Sequence, residues 1–529
     1  MKAIKIHLRD NVAVALEDLK AGETVLPGGA GANKESCGAA GCELSEAGQA
    51  VPADPDDANA KAENNAEGIT LREDIARGHK LALTDIAAGA PVIKYGCCIG
   101  YATADIPAGT WVHTHNVKTG LKEGGAYEYH HVVYDLPKPD MKTFMGFRRP
   151  DGRAAIRNEI WVIPTVGCVN SIAGTLVREN QDLVSGSIDG LYTFPHPFGC
   201  SQLGDDHEQT KKLLAALVHH PNAMGVLVVG LGCENLQMEQ FKEAVGPVDE
   251  RYVKFMICQE QEDELEAGSA LLREIAGNIS GFVREEIPAS ELVVGMKCGG
   301  SDGLSGITAN PTVGRFSDLL TAMGGATVLT EVPEMFGAED ILFSRCEDEQ
   351  VFDRAVDMVT RFKDYFVRHG QTVYENPSPG NKDGGITTLE DKSCGCVQKG
   401  GSAQITDVLA YGERVKKSGL NLLSGPGNDL VSATALTAAG CHMILFTTGR
   451  GTPFGAPAPT IKVATNNSLA QRKKNWIDFN AGTVAEGESL NDAGERLLRF
   501  VLDVAGGERT CSERAGYREI SIFKDGVVL

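Results

Sequence analysis

The sequence is short of positive charge, of aromatic side chains and of long apolar runs. Its 529 residues hold 50 Lys and Arg against 71 Asp and Glu, a net charge of −21, and only 6% aromatics. The cation deficit excludes nucleic acid as a partner, because phosphate contacts need clustered Lys and Arg. No segment approaches the ~18 consecutive apolar residues that span a membrane. The first residues run into a strand-like alternation without a secretory signal, so we expect a cytoplasmic protein.

Two patterns divide the chain. Residues 1–116 alternate short strands with Gly and Pro turns, which predicts a small all-β domain interrupted by a flexible acidic insertion at 28–67. Beyond a polar linker at 117–142, apolar strands alternate with helical periodicity, which predicts an α/β fold with mainly parallel sheets and crossover helices. A polar stretch before a new strand separates a second domain, 143–285, from a third, 286–529.

One glycine-rich loop carries more chemistry than any other stretch. It follows the predicted strand Glu291–Gly295 and presents Cys298, Ser301 and Asp302 within five positions. Ligands bind at the carboxyl ends of strands in open α/β sheets, and glycines let the backbone approach a ligand closely. A tight turn with a polar cap is the simpler interpretation of this loop by itself.

The 14 cysteines are expected to be reduced thiols, because a long chain without a secretory signal seldom carries a disulfide framework. Cys168, Cys233 and Cys298 each follow an apolar strand closely, and Cys200 ends a loop. Convergent thiolates at strand ends would bind iron directly or as an iron–sulfur cluster. The Cys-x-x-Cys spacing of ferredoxins is missing, which weakens the cluster interpretation, and burial as small apolar residues is the alternative for each.

Two further loops offer amides, hydroxyls and a cation but few apolar atoms. The first, at 375–385, carries Asn376, Asn381 and Lys382, and the second, at 447–453, carries Arg450 and Thr452. This chemistry suits a hydroxylated carboxylate better than a flat aromatic cofactor. Arg157 is a further carboxylate anchor, because guanidinium binds carboxylates bidentately. Each of these residues alone is more often an ordinary surface group.

Two other motifs receive less weight. His113 and His115 share one strand face and form, with His79, a usable metal set, but a solvent-facing strand edge is the favoured interpretation. The stretch Gly230–Asn235 begins like a dinucleotide fingerprint, yet Asn235 replaces its third glycine. NAD binding, and with it an oxidoreductase, is therefore disfavoured.

At this point the sequence resembles the altronate and galactarate dehydratases. The resemblance runs almost end to end and lies in the stretches Ile4–His7, Asp10–Leu16, Gly78–Ile86, Val92–Gly96, Pro164–Asn170 and Gly199–His207, and in the loops 298–311, 375–382 and 447–453. The insertion at 28–67 departs from the family, whose members have a short turn there.

The resemblance implies an N-terminal β-clip (SAF-like) domain, a second domain that helps to form a homodimer, and a C-terminal Rossmann-like domain that holds a metal. It implies an iron-dependent lyase, with Fe(2+) or a substituting Mn(2+). The match is closer to the altronate branch, which implies conversion of D-altronate to 2-dehydro-3-deoxy-D-gluconate in hexuronate catabolism. Galactarate dehydration and sulfo-lyase action on a hydroxy acid are the alternatives, and a non-catalytic sugar-acid-binding protein is a more distant one.

Dehydration across C2–C3 removes a weakly acidic proton next to a carboxylate, so the enediolate needs a metal or strong cations. We expect the metal ligands to be Cys298, Asp302, Cys168 and Cys233. We expect substrate contacts from Arg157, Ser301, Asn376, Asn381, Arg450 and Thr452. Asp302 is also expected to be catalytic, Lys382 to act as base or to stabilise charge, and His79 to act as acid.

Overall fold

The computed structural model describes residues 1–29, 42–44, 50–52, 68–121, 127–373 and 376–525. Most of the predicted flexible insertion at 28–67 therefore lies outside the described residues. Within the described ranges, no helix is both long enough and apolar enough to cross a membrane.

The N-terminal domain is built from short strands, as the Gly and Pro turns predict. The strands are β1 Ala3–Lys5, β2 Val12–Ala15, β3 Thr24–Val25, β4 Gly28–Gly29, β5 Cys42–Leu44, β6 Ala50–Pro52, β7 Ile69–Thr70, β8 Lys80–Ala82, β9 Pro91–Lys94, β10 Cys97–Ala102, β11 Trp111–Val112 and β12 Val117–Lys118. Its two larger sheets have the orders β11-β8-β2-β1-β4 and β12-β10-β9. Small aliphatic residues such as Val12, Ala82, Val92 and Ile99 fill the space between them.

The second domain is an α/β unit. Its elements are β13 Thr143–Arg148, β14 Ala154–Ala155, β15 Glu159–Pro164, α1 Asn170–Glu179, β16 Gly190–Thr193, α2 Gly204–Val218, β17 Ala223–Gly230, α3 Met238–Val245, β18 Val253–Ile257, α4 Glu264–Ile279 and β19 Arg284–Pro288. The strands β16-β15-β17-β18 form a parallel sheet in that order, and every residue of β15 and β17 is buried. Strands β13 and β19, where the chain enters and leaves, pair with each other antiparallel.

The third domain carries the largest sheet. Its elements are β20 Val293–Cys298, α5 Ala309–Ala322, β21 Ala326–Leu329, α6 Glu339–Phe343, α7 Glu349–Arg368, α8 Pro379–Asp383, α9 Leu389–Cys396, β22 Ile405–Leu409, β23 Gly419–Leu423, α10 Asp429–Ala438, β24 Met443–Thr448, β25 Thr460–Ala464, α11 Asn467–Arg472, β26 Phe479–Asn480, α12 Leu490–Ala505 and α13 Cys511–Ala515. The seven strands are parallel, in the order β22-β23-β21-β20-β24-β25-β26.

The strand order reverses at β20. From β20 the chain crosses to β21 on one side, and it later returns to β24 on the other side. The carboxyl ends of β20 and β24 therefore flank a switch point, where an open α/β sheet forms its ligand crevice. Strand β20 runs three residues beyond the predicted end at Gly295, because Lys297 and Cys298 continue the ladder opposite Phe446 and Thr447. The predicted α/β class with mainly parallel sheets and a separate N-terminal domain of short strands is confirmed.

Candidate active site

A cleft of about 780 Å³ opens at this switch point. The loops after β20 and β24 form one wall, and α8 with the residues just before it forms another. The lining residues include Cys298, Ser301, Glu334, Asn376, Asn381, Asp383, Lys392 and Arg450. The cleft holds polar and charged groups on a mostly buried floor, which suits a small hydroxylated anion.

Two thiols and a carboxylate meet on the floor of this cleft. The Cys298 thiol donates to Glu334 Oε2 at 2.9 Å, and its sulfur lies 3.6 Å from Cys396 Sγ. All three residues are buried, and one ligand atom from each lies within 4.8 Å of the others. Thiolates and carboxylates both bind Fe(II), so the donor set fits a single iron ion.

Two lysines surround the carboxylate of this group. Lys392 Nζ lies 2.9 Å from Glu334 Oε1, and Lys399 Nζ lies 3.8 Å from Glu334 Oε2. Both ammonium groups hold the pKa of Glu334 well below its usual range, against the effect of burial. A hydrogen bond with Cys396, helped by the two lysines, lowers the pKa of Cys298 to about 7 although burial opposes it. The floor is therefore a compact ionic cluster.

A second buried ion pair supports the strand end from behind. Lys297 Nζ lies 2.7 Å from both Glu331 Oε1 and Asp429 Oδ1, and Glu331 Oε2 accepts from the Cys298 backbone N–H at 2.8 Å. Glu331 adopts φ = 72°, a conformation that non-glycine residues seldom take. Such strain persists where the surroundings enforce it, and here it directs a carboxylate toward Lys297 and Cys298.

Four of the residues predicted to contact substrate line the cleft: Ser301, Asn376, Asn381 and Arg450. The Asn381 side chain donates to the Ser301 carbonyl at 2.9 Å, which joins α8 to the glycine-rich loop. Lys392 Nζ donates to the side-chain oxygens of Asn376 and Asn381 at 2.9 and 3.2 Å. The predicted loop at 375–385 is thus held by a lysine that the sequence did not single out.

The other predicted site residues of the third domain point elsewhere. The Asp302 side chain is half-buried and accepts from Ser305 and Thr465 at 3.0 and 2.9 Å, and it is not among the described residues that line the cleft. Burial raises the pKa of Asp302. Neither Lys382 nor Thr452 is among the described residues that line the cleft.

Arg157 is a structural residue of the domain junction. Its guanidinium is 2% exposed and lies 2.9 Å from Glu513, with backbone carbonyls as its other acceptors. It belongs to a buried ion cluster with Glu159 and Arg518 that ties the second domain to the third.

His79 lies where the N-terminal domain meets α8. Its Nδ1 accepts from Trp111 Nε1 at 3.1 Å, so Nε2 carries the proton and donates to the Asp383 carbonyl at 3.3 Å. Burial lowers the pKa of His79 and favours this neutral form. Nearby, Lys80 and Lys94 of the same domain flank Asp391 of α9 at 2.8 and 3.0 Å. Buried polar contacts therefore hold the N-terminal domain beside the cleft.

Cys168 and Cys233 do not join Cys298. Both are exposed and lie at the sheet of the second domain, whereas Cys298 is 2% exposed on the cleft floor. Sequence reasoning missed Glu334, Lys392, Cys396 and Lys399. A usable signal existed in α9 and the residues after it, where a Cys-x-Cys pair stands among charged residues: Asp391, Lys392, Cys394, Cys396 and Lys399.

Comparison with known proteins now adds to this geometry. Three family models match: "D-galactarate/Altronate dehydratase, C-terminal" over residues 289–528, "D-galactarate dehydratase/Altronate hydrolase, second domain" over 146–280, and "Altronate/galactarate dehydratase SAF domain" over 50–120. The chain is 51% identical to altronate dehydratase of Escherichia coli K12 over 534 residues, which cover all of both chains. It is 49% identical to altronate dehydratase of Bacillus subtilis 168, with 99% of each chain covered. Galactarate dehydratase (L-threo-forming) of Escherichia coli K12 is 35% identical, covering 87% of this chain and 92% of its own.

Proposed function

The chain belongs to the altronate/galactarate dehydratase family of hydro-lyases, and from this premise we propose that it converts D-altronate to 2-dehydro-3-deoxy-D-gluconate and water. The two relatives of about 50% identity are both named altronate dehydratase, and the galactarate enzyme is more distant at 35%. The proposal places the reaction in the breakdown of hexuronates.

The observation that carries the proposal is the cluster of cations, thiols and amides on the cleft floor. Removing a proton next to a carboxylate builds negative charge on that carboxylate, and fixed cations in a buried site stabilise such charge strongly. Lys392 lies in the cleft, and its attraction to Glu334 raises its pKa despite burial, so it stays protonated. We assign it to the substrate carboxylate.

Cys298, Glu334 and Cys396 are the residues that would hold the metal, which we propose to be Fe(2+) with Mn(2+) as a substitute. When bound, the ion supplies a Lewis acid that stabilises the enediolate. Ser301, Asn376, Asn381 and Arg450 surround this position and offer hydroxyl, amide and guanidinium groups to the sugar hydroxyls.

Asn376 and Asn381 have a second task, because both accept hydrogen bonds from Lys392 and so orient its ammonium toward the cleft. Lys382, in contrast, is outside the described cleft lining. We therefore propose that Lys392 takes the charge-stabilising role that the sequence suggested for Lys382. His79, with both ring nitrogens engaged, is assigned to docking of the N-terminal domain.

We also propose a cytoplasmic homodimer. The described cysteines are all free, which supports a reducing compartment. Met141, Met145 and Val283 are exposed beside or on the antiparallel sheet of the second domain, and we propose this face as the subunit contact. Light scattering on the purified protein tests the dimer.

The test of function is turnover by anaerobically purified, Fe(II)-reconstituted protein, with D-altronate and galactarate side by side and products identified by mass. Loss of one water from D-altronate, abolished by a chelator, is the expected result. Turnover of galactarate alone would replace the substrate, and no turnover of either by iron-loaded protein would refute the proposal.

A further inference from the structure

Three cysteines that the cleft does not use lie along one edge of the second domain. Cys168 follows β15, Cys200 follows β16 and Cys233 follows β17, and these strands are neighbours in the order β16-β15-β17-β18. Adjacent strands lie ~4.8 Å apart, so the three loops start within about 10 Å of one another. All three thiols are free and exposed.

Hydrogen bonds join the three thiol-bearing loops to one another. The Gly167 N–H donates to the Phe198 carbonyl at 2.9 Å, which links the Cys168 loop to the Cys200 loop. Ser201 N–H donates to Asn235 Oδ1 at 2.7 Å, and Leu236 N–H donates to the Gly199 carbonyl at 3.2 Å. The Cys200 loop is thus held between the other two.

Each of the three cysteines directly follows a glycine: Gly167, Gly199 and Gly232. Gly199 has φ = 100° and Gly232 has φ = 126°, conformations that other residues seldom adopt. A Cβ on Gly199 would lie 2.1 Å from the Thr165 carbonyl oxygen. Glycine is therefore what allows the Cys200 loop to approach the Cys168 loop this closely.

Three helices begin close to these cysteines. Helices α1, α2 and α3 begin two, four and five residues after the respective cysteines. Helix N-termini carry partial positive charge, which favours a negatively charged ligand beside them. Gln259 Nε2 also donates to Cys233 Sγ at 3.6 Å.

The three sulfurs do not form a site of the size that holds a single ion. A group of three ligand atoms within 4.8 Å, the size for a single ion, occurs in the described part of the chain at Cys298, Glu334 and Cys396 and not at this edge. Iron–sulfur clusters are larger and attach each thiolate to a different iron. Cys258, at the end of β18, is 7% exposed and packs into the apolar core, so it offers no fourth thiolate.

We propose that Cys168, Cys200 and Cys233 hold a four-iron, four-sulfide cluster, with one iron left without a protein thiolate. This site is separate from the Cys298 group. Its presence is measured without turnover, so it stands or falls independently of the dehydratase assignment.

The experiment measures iron, acid-labile sulfide and the reduced-state electron paramagnetic resonance spectrum of anaerobically reconstituted full-length protein. Wild type is expected to hold about four labile sulfides per chain. The triple variant Cys168→Ser/Cys200→Ser/Cys233→Ser is expected to hold none. The matched double variant Cys298→Ser/Cys396→Ser and the single variant Cys98→Ser are expected to keep the wild-type sulfide content.

Wild type without labile sulfide, or a folded triple variant that keeps it, would overturn the proposal. Circular dichroism checks folding of the variants. A second measurement needs no variant: iodoacetamide labelling mapped by mass spectrometry. Protection of all three thiols in reconstituted protein, and their reaction after chelator treatment, supports the cluster. Equal labelling of both forms refutes it.

Discussion

The two parallel sheets present cysteines at their carboxyl edges in opposite ways. In the third domain, Cys298 lies on a buried floor with two lysines and a glutamate, and its group is the size of a single ion. In the second domain, Cys168, Cys200 and Cys233 are exposed on loops joined by backbone hydrogen bonds. Strand ends place a thiol at both edges, but burial and countercharge decide what each edge can hold.

The largest expected effect concerns the buried Asp391 carboxylate, which lies between Lys80 and Lys94. Asp391→Asn leaves Lys80 and Lys94 buried beside a neutral amide, and such a loss costs about 3–5 kcal/mol of unfolding free energy. Asp357→Asn, which breaks an exposed pair with Arg361, is the control and should cost about 0.3–0.5 kcal/mol. Denaturant titration measures both, and equal small losses would contradict the ranking.

The next effect tests which lysine serves the cleft. Lys392→Met is expected to lower kcat about 10²–10³-fold, the usual cost of losing one preorganised charge stabiliser. Lys382→Met is the matched control, because Lys382 is on α8 but outside the described cleft lining. Steady-state kinetics with D-altronate compares them, and a larger loss for Lys382→Met would return the role to that residue.

The free energy of unfolding should fall in acid because of His196, which lies beside the Cys200 loop. This imidazole donates to the Pro164 carbonyl at 2.8 Å and accepts from the Phe198 N–H at 3.2 Å, two residues from Cys200. Burial lowers its pKa from 6.5 to about 4. The folded state therefore binds fewer protons than the unfolded state, and stability falls as pH drops from about 6.5 toward 4.

The expected loss over that window is at most about 3 kcal/mol, from 1.36 kcal/mol per pKa unit. His196→Gln should flatten this part of the pH profile of unfolding free energy, and the exposed His131→Gln should not. A pH profile unchanged by His196→Gln would show that this imidazole does not control the stability of the protein between pH 6.5 and 4.

The smallest effect concerns the glycine before Cys200. Gly199→Ala adds a Cβ 2.1 Å from the Thr165 carbonyl oxygen at φ = 100°. Gly186→Ala is matched, because its φ is also positive, at 62°, but no atom lies within 4 Å. Gly199→Ala should cost about 1–3 kcal/mol more than the control and lower the labile sulfide content. Thermal unfolding and sulfide analysis measure both effects. Equal losses of unfolding free energy in the two variants would mean that the loop shifts to make room for the added methyl group.

Local pattern was enough to predict the α/β fold, the thiol at the end of β20 and the two polar loops. These features depend on strands, turns and glycines that lie close in sequence, and parallel topology then brings strand ends to one edge. The direction of single side chains was not predictable. Asp302, next to Ser301, turns to Thr465, and Arg157 pairs with Glu513, 356 residues away.

One physical reason explains why the sequence did not reveal Lys392 and Cys396. Lys392 and Cys396 lie on α9, where all eight residues are buried although several are charged. A buried lysine is recognisable only once its partners are known, and Glu334 lies far from it in sequence. The predicted domain boundaries at 116, 142 and 285 stay predictions.

The Asp391 carboxylate also has a consequence for how this protein is assembled. Its two countercharges, Lys80 and Lys94, come from a different domain, so each domain by itself would expose or bury an unbalanced charge. The N-terminal domain supplies both ammonium groups, and α9 supplies the carboxylate that neutralises them. The two domains are therefore expected to be more stable together than apart.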